Sequence, residues 1–417
     1  MSFADCFDHD PGLLPIATVR VRLRERLAPM VGEESVPLAQ AAGRILAAPL
    51  AAPFDIPRFT NVAVDGWAFR HRPSMLEERV SLSIRPGRAA AGAPFGGEVA
   101  AGEALRVLTG AVLPAGCDSV ALQEEVSVEE DRIRLPRGIR MGVNRRPRGE
   151  DMARGEVVLD AGHRLRPQDV GAAALMGMAH LPVRAALRVA LFSTGDEIVE
   201  PGDPLPEGGL YDANRHILAG LLKRLPVRVT DLGILPDEPA RLHDCLSRAA
   251  ATHEVILTSG GASQGDEDHL STVLGREGTV RFWRIALKPG RPLGFAELGR
   301  TLVMALPGNP VAATLCFAYL ARPLLLALAG APWSEPQGLP LPLDHPVHKR
   351  AGRTELLRVR LVRDAHGTRL RRIAEQGSGV LTSLVRADGV VELAHETEAL
   401  HAGEMVPYLP FAALDLD

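Results

Sequence analysis

The chain has 417 residues, 46% of them hydrophobic and 24% charged, with a formal net charge of −4 and 4% aromatic residues. That length exceeds one ordinary core, so two to four domains are expected. The missing basic footprint and the scarcity of stacking residues exclude a general nucleic-acid-binding protein.

The N-terminus "MSFADCFDHD" is acidic and shows no apolar signal core. The four cysteines, Cys6, Cys117, Cys245 and Cys316, lie far apart without CxxC or Cys/His spacing, which removes zinc and iron–sulfur signatures. Reduced thiols and a cytoplasmic location are the expectation. Residues 17–29 carry Val19, Leu23 and Leu27 at helical spacing, and 38–50 read the same way. Pro53, Pro57 and "FTNVAVDGWAF" (59–69) end that helical region. From about 76 to 150, short β-forming runs separated by Gly and Pro predict a small β domain.

Residues 187–330 alternate. "LRVALFS" (187–193), "VRVTDLGIL" (227–235) and "EVILTS" (254–259) read as strands; "ANRHILAGLLKRL" (213–225), "EPARLHDCLSRAAATH" (238–253) and "DHLSTVLG" (268–275) read as helices. Strand–helix alternation predicts an α/β domain with a mostly parallel sheet, whose site lies beyond the carboxyl ends of its strands. The run 310–330 is apolar enough for a membrane helix, but Arg322 and Pro323 interrupt it, and a buried core helix is expected. After Pro336 the alternation stops. "RTELLRVRLVRDAHGTRLRRIAE" predicts a hairpin around Asp364–Gly367 within a C-terminal β domain.

Four loops follow strands in the α/β segment: "STGDEIVEPG" (193–202), "LPDEP" (235–239), "GGASQGDED" (260–268) and "LPGNPVAA" (306–313). Each alone fits a turn as well as a site, because Asp and Glu make local hydrogen bonds. Their recurrence on one side of one sheet is what points to a crevice. Pro310 suits the first turn of a helix, and Gly308–Asn309 before it leave amides that can face an anion or simply start the helix. "IALKPGRP" (285–292) adds Lys288 and Arg291, with Arg284 just before it. Of the 47 basic residues only Lys223, Lys288 and Lys349 are lysine, so Lys288 is either residual or kept as a compact point charge. "GVNRRPRGED" (142–151) mixes Arg145, Arg146 and Arg148 with Glu150 and Asp151, as an exposed joint or a polar site would. No Walker A loop, GxGxxG after a strand or nucleophile elbow occurs.

Taken in order, "VAVDGWAF", "LTGAVLP", "NRRPRGED", "STGDE", "LYDANR", "TSGGASQGDED", "ALKPGRP" and "LPGNPVAATL" resemble the molybdopterin molybdenumtransferase family, MoeA, which includes the gephyrin E domain. The resemblance runs from about residue 15 to the C-terminus. It implies a multidomain α/β plus β chain. An extended N-terminal, dimerising domain would take 1–55 and 151–186, and an inserted β domain 56–150. An α/β molybdopterin-binding domain would take 187–333, and a C-terminal β-barrel-like domain 334–417. It also implies a homodimer that inserts molybdenum from molybdate into adenylylated molybdopterin and releases AMP. The implied partners are the molybdopterin adenylyltransferase and acceptor molybdoenzymes, with neither nucleic acid nor membrane involved.

The site residues implied by resemblance are Asp65, Asp151, Asp268 and Lys288 for catalysis. Mg²⁺ would sit on Glu197, Asp237 and Asp268. Substrate contacts are implied for Thr109, Arg146, Ser193, Thr194, Gly195, Asp196, Asp212 and Ser259, for Gly260 and Gly261 as points of close backbone approach, for Arg284 and Arg291, for the loop Pro307, Gly308, Asn309 and Pro310, and for Ser378. In the family one subunit's β domain completes the other's site. The sequence departs from the family's Met–Asp–Gly–Tyr at Val64–Asp65–Gly66–Trp67, and two family lysines appear as Arg284 and Arg291. A molybdopterin adenylyltransferase is the first competing reading, opposed by the flanking β domains. A non-catalytic scaffold is the second, opposed by the lack of an appended partner domain.

Overall fold

The computed structural model describes residues 14–24, 28–261, 269–365 and 367–417, with the main chain alone for Arg22 and 280–284. The chain divides into two compact units. One comprises the residues up to Ala47, Gly162–Arg166 and Pro182–Asp417. The other comprises Ala48–Ala161 and Pro167–Leu181.

The second unit is built on a six-stranded sheet. Its strands are β1 (Gly66–Phe69), β2 (Val80–Ala89), β3 (Glu103–Val107), β4 (Ser119–Leu122), β5 (Ser127–Glu129) and β6 (Arg132–Leu135). Their spatial order is β4-β1-β3-β2-β6-β5. Period-two alternation buries Trp67 and Phe69 on one face with Met75, Leu82 and Ile133, and Ala68 on the other with Leu105, Val107 and Val120.

The first unit holds helix α1 (Ile16–Arg24) and a second six-stranded sheet. In chain order this sheet and its helices are β7 (Leu187–Thr194), α2 (Ala213–Leu222), β8 (Val227–Leu235), α3 (Pro239–Ala250), β9 (Val255–Ser259), α4 (His269–Glu277) and β10 (Thr279–Arg284). The excursion β11 (Leu287–Lys288), then β12 (Pro292–Leu298), β13 (Thr301–Leu306) and α5 (Pro310–Leu328) follow. The spatial order is β8-β7-β9-β13-β12-β10. The pairs among β8, β7, β9 and β13 are parallel, and β12 joins its neighbours antiparallel.

Both faces of this sheet are covered. Val189, Leu191, Val255 and Leu257 face α1, α2 and α5, whereas Ala190, Phe192 and Ile256 face α3 and α4. That is why "VALF" and "VIL" are unbroken apolar runs rather than alternating ones. α5 is long and apolar enough to cross a bilayer, but it lies 89% buried, as the core helix of this unit. A π-helical turn, Phe317–Ala321, precedes Arg322 and Pro323 and carries the helix through the proline.

The C-terminal strands are β14 (Leu339–Pro342), β15 (Thr354–Asp364), β16 (Gly367–Arg372), β17 (Gly389–Leu393) and β18 (Met405–Pro410). β15 and β16 form the expected hairpin, with Asp364 opposite Gly367. Between β10 and β12 the chain leaves the α/β sheet, and β11 pairs parallel with β15, so the C-terminal sheet has the order β11-β15-β17-β18-β14. Leu356, Val390 and Leu409 on one face of it join the core around α5. Burying such side chains contributes roughly 1.5–3 kcal/mol each and locks the two sheets into one unit.

One expectation fails. Residues 38–50 are not an amphipathic helix; only Leu38–Gln40 is helical, as a 3₁₀ turn. Gly43 takes φ +81°, and Ile45 and Leu46 then pair as isolated bridges with Arg164 and Val183. Burial of both side chains at 0% exposure outweighed the helical spacing.

Candidate active site

The sheet of the first unit has its topological switch between β7 and β9. The chain leaves β7 for β8 on one side and returns to β9 on the other. A crevice therefore opens at their carboxyl ends, and those ends carry Ser193, Thr194 and Ser259. All three are buried. Ser193 Oγ and Thr194 Oγ1 have no hydrogen-bond partner among the described residues. Ser259 Oγ accepts from Asn214 Nδ2 at 2.7 Å, and the same amide donates to the Gly308 carbonyl at 2.7 Å. Asn214 thus ties the β9 end to the loop after β13.

Gly260 and Gly261 have φ of +91° and +67°. A Cβ on Gly260 would overlap the Thr194 carbonyl oxygen, and one on Gly261 would come within 2.8 Å of Leu270 Cδ2. The glycines are therefore required by the packing of neighbouring protein segments, a reason different from close approach to a ligand. Gly195, at φ +144°, has Glu197 Oε2 2.7 Å from where its Cβ would stand.

A cleft of about 430 Å³ lies beside these strand ends. Its walls come from 285–292, from Pro307, Gly308, Asn309 and Ala312, and from Arg353, Gln376, Gly377 and Ser378. Lys288, Arg291, Pro307, Gly308, Asn309 and Ser378, chosen from the sequence, meet here. Arg291 is exposed. Lys288 Nζ donates to Glu355 Oε1 at 2.8 Å, with the lysine side chain 41% exposed and the glutamate 10%. Arg353 Nη2 stands 3.8 Å from Glu355 Oε2.

The loop bearing Ser378 is built in from below. Gln376 donates to the carbonyls of Arg358 and Ile373 at 2.9 and 2.8 Å and accepts from the Arg358 amide at 3.1 Å. Arg358, fully buried, donates to the Gly377 carbonyl at 3.2 Å. Burial pushes its guanidinium down to about 10. The Ser378 carbonyl accepts from the Val311 amide at 3.0 Å, so that amide at the start of α5 is occupied by protein rather than left for an anion. Asn309 is the residue before the helix and makes no side-chain cap bond, and Pro310 occupies the first turn.

The remaining candidates of this unit fall elsewhere around the strand ends. Asp212 caps α2 by accepting from the Arg215 amide at 3.0 Å and from Arg215 Nε at 3.1 Å. Arg215 also pairs with Asp231 at 2.6 Å and with Glu200. Asp212 is consumed by this buried network. Asp196 Oδ1 accepts from the Asp237 amide at 3.1 Å and so joins the loops after β7 and β8. Among the described residues, no three His, Cys, Asp or Glu side chains are close enough to hold a metal ion. Asp268 lies outside the described residues, as does the side chain of Arg284.

In the second unit, Asp65 Oδ1 accepts from both the amide and the hydroxyl of Thr109, each at 2.7 Å. These two donors, with Arg106 nearby, hold the exposed carboxylate below its ordinary value. Arg106 lies over the Trp67 ring, 5.8 Å from its centroid, and donates to the Gly66 carbonyl at 3.3 Å. Arg146 pairs with Glu150 at 2.8 Å. Asp151 is exposed, with its amide on the Ile56 carbonyl at 2.9 Å.

Asn214, Arg353, Glu355 and Gln376 were not picked out from the sequence. Glu355 carried a signal, as a lone carboxylate in the apolar strand "TELLRV", and Asn214 sits inside "LYDANR". Arg353 and Gln376 reach the cleft only through the pairing of β11 with β15.

Three family descriptions match the chain: MoeA N-terminal region (domain I and II) over residues 14–177, probable molybdopterin binding domain over 190–327, and MoeA C-terminal region (domain IV) over 340–411. A molybdopterin molybdenumtransferase of Haemophilus influenzae is 35% identical over 402 residues, covering 96% of this chain and 99% of its own. One from a Nostoc species is 32% identical over 318 residues, covering 74% and 72%. The crystal structure of a molybdopterin biosynthesis moeA protein from Pyrococcus horikoshii superposes with a TM-score of 0.83 at 29% identity. It covers 95% of this chain and 100% of that one.

Proposed function

The chain belongs to the MoeA family of molybdopterin molybdenumtransferases, and on that premise we propose that the cleft between Lys288 and Ser378 is where its molybdate is held. The protein inserts molybdenum into molybdopterin in the biosynthesis of the molybdenum cofactor. The observation that carries the molybdate assignment is the meeting of Lys288, Arg291, Arg353 and Ser378 in one cleft beside the switch point. Molybdate is a tetrahedral dianion that presents only acceptor oxygens. Ammonium, guanidinium and hydroxyl donors suit it, and no soft metal ligand is needed.

In this reading the adenylylated molybdopterin lies along the ends of β7 and β9. The unpartnered hydroxyls of Ser193 and Thr194 supply donors there, and Asn214 keeps Ser259 and Gly308 in register. Glu197, Asp237 and Asp268 would hold Mg²⁺. The Asp196–Asp237 hydrogen bond sets two of the acid-bearing loops side by side, which fits a hard cation that takes a few carboxylates plus phosphate oxygens. Bound there, the ion would neutralise charge on the phosphates as AMP leaves. Asp65, Asp151, Thr109 and Arg146 of the other unit are proposed to act in turnover, in a homodimer located in the cytoplasm.

The test is the Lys288→Gln variant. Removing a point charge from a partly desolvated pocket raises the molybdate concentration for half-maximal AMP release by about tenfold, with a smaller effect on nucleotide binding. Equal loss of both affinities would make Lys288 a phosphate ligand. No loss of either would remove molybdate from this cleft.

A further inference from the structure

Glu355 is out of place in an anion pocket. It stands opposite Lys288 in the parallel β11–β15 pair and is 8% exposed. Its Oε1 takes the Lys288 ammonium at 2.8 Å, while its buried Oε2 accepts no hydrogen bond from any described residue and lies 3.8 Å from Arg353 Nη2. Burying a carboxylate with one oxygen unsatisfied is costly. An arriving dianion would be repelled by it as well. A pocket built only to bind oxyanion tightly would leave Lys288, Arg291 and Arg353 uncompensated, or hold the ammonium with a neutral acceptor.

We propose that Glu355 is a counter-charge that keeps the pocket's hold on the oxyanion weak enough for the metal to be passed on. Lys288 is shared between two acceptors. It turns from Glu355 toward the oxyanion on binding and returns to Glu355 as the oxyanion leaves, so the ammonium is never left bare. The side chain has room for this, being 41% exposed while its partner is buried. A group-transfer enzyme gains nothing from a ground state bound more tightly than the step that follows. This inference rests on the cleft being the molybdate pocket.

Glu355→Gln keeps the side chain's size and an acceptor for Lys288 but removes the charge. Calorimetric titration of the full-length protein with molybdate, without nucleotide, should show the dissociation constant falling by about tenfold or more. Turnover at saturating molybdate should fall, because the metal is handed to the pterin from a more tightly bound ground state. Glu355→Asp, which retains the charge, should keep the wild-type affinity and guards against a variant that fails to fold. The double variant Lys288→Gln/Glu355→Gln, with the same net charge as the wild type, should bind less tightly than Glu355→Gln alone. Unchanged or weaker binding by Glu355→Gln would overturn the counter-charge and make Glu355 a positioning residue, leaving the pocket assignment intact. Failure of the wild-type protein to bind molybdate at all would overturn the pocket and this inference together.

Discussion

Gly290→Ala tests whether the wall of the cleft is as tightly determined as its packing implies. Gly290 has φ +127°, a conformation that side chains rarely adopt, and a Cβ placed on it would overlap the buried Sγ of Cys316 in α5. Leu287 Cδ2 stands 3.4 Å away, an ordinary contact. Two costs therefore add: roughly 1–3 kcal/mol for the backbone conformation and about 1–3 kcal/mol for overpacking. They act at one end of a strand excursion that carries Lys288. Cys316→Ala removes the obstructing sulfur, so the steric part should vanish in the double variant and the backbone part should remain. The expected coupling is therefore favourable by about 1–3 kcal/mol. The measurement is hydrogen exchange of β9, β13 and α5 peptides in the full-length protein, because a chain of two units has no single unfolding free energy. Strict additivity of the two substitutions would refute the steric argument. A harmless Gly290→Ala would refute both parts.

Arg215→Met leaves Asp212, 2% exposed, without its cation, and should cost about 3–5 kcal/mol in the opening of α2, read by the same exchange experiment; a cost below 1 kcal/mol would mean that Asp212 is satisfied by its capping bond alone. Thr109→Val removes the hydroxyl donor to Asp65 while keeping the amide, so the Asp65 pKa, followed by carbon-detected NMR, should rise toward its ordinary value of 3.8. Because the folded value is depressed, the stabilisation that this carboxylate contributes is present above its unfolded pKa and is lost as pH falls through the folded one. The variant should show a smaller loss across that acid window, and an unmoved pKa would assign the shift to the amide and Arg106.

Where the sequence spoke plainly, it was through burial. The runs "VALF" and "VIL" read as strands, the structure covers both of their faces, and they are the strands whose ends make the crevice. Lys288, Arg291 and Asn309 could be named in advance because they stand in long motifs, and Ser378 through the family resemblance alone, although nothing in their spacing says that they converge. Arg353 and Glu355 stayed hidden for a physical reason. Their place in the cleft depends on the chain leaving the α/β sheet so that β11 pairs with β15, a contact between residues 67 apart that no local periodicity records. Residues 38–50 misled in the opposite sense. Leu38, Ala42, Ile45 and Leu46 have helical spacing, but a left-handed Gly43 and tertiary bridges to 164 and 183 decided their conformation. Asp212 carries a family motif and yet spends both oxygens on α2 and Arg215.

The pairing of β11 with β15 also bears on how the protein comes into being. The α/β sheet is complete once Leu306 has been made, yet the cleft needs Arg353 and the 376–378 loop, and their sheet is closed only by β18 at Met405–Pro410. Synthesis runs from the N-terminus, and domains fold as they emerge. A nascent chain therefore spends the last part of its translation with the strands of the α/β sheet made and this wall of the cleft missing. Stalled or prematurely terminated products that stop short of these strands lack part of the cleft's wall and part of the core around α5, which ties completion of the site to completion of translation.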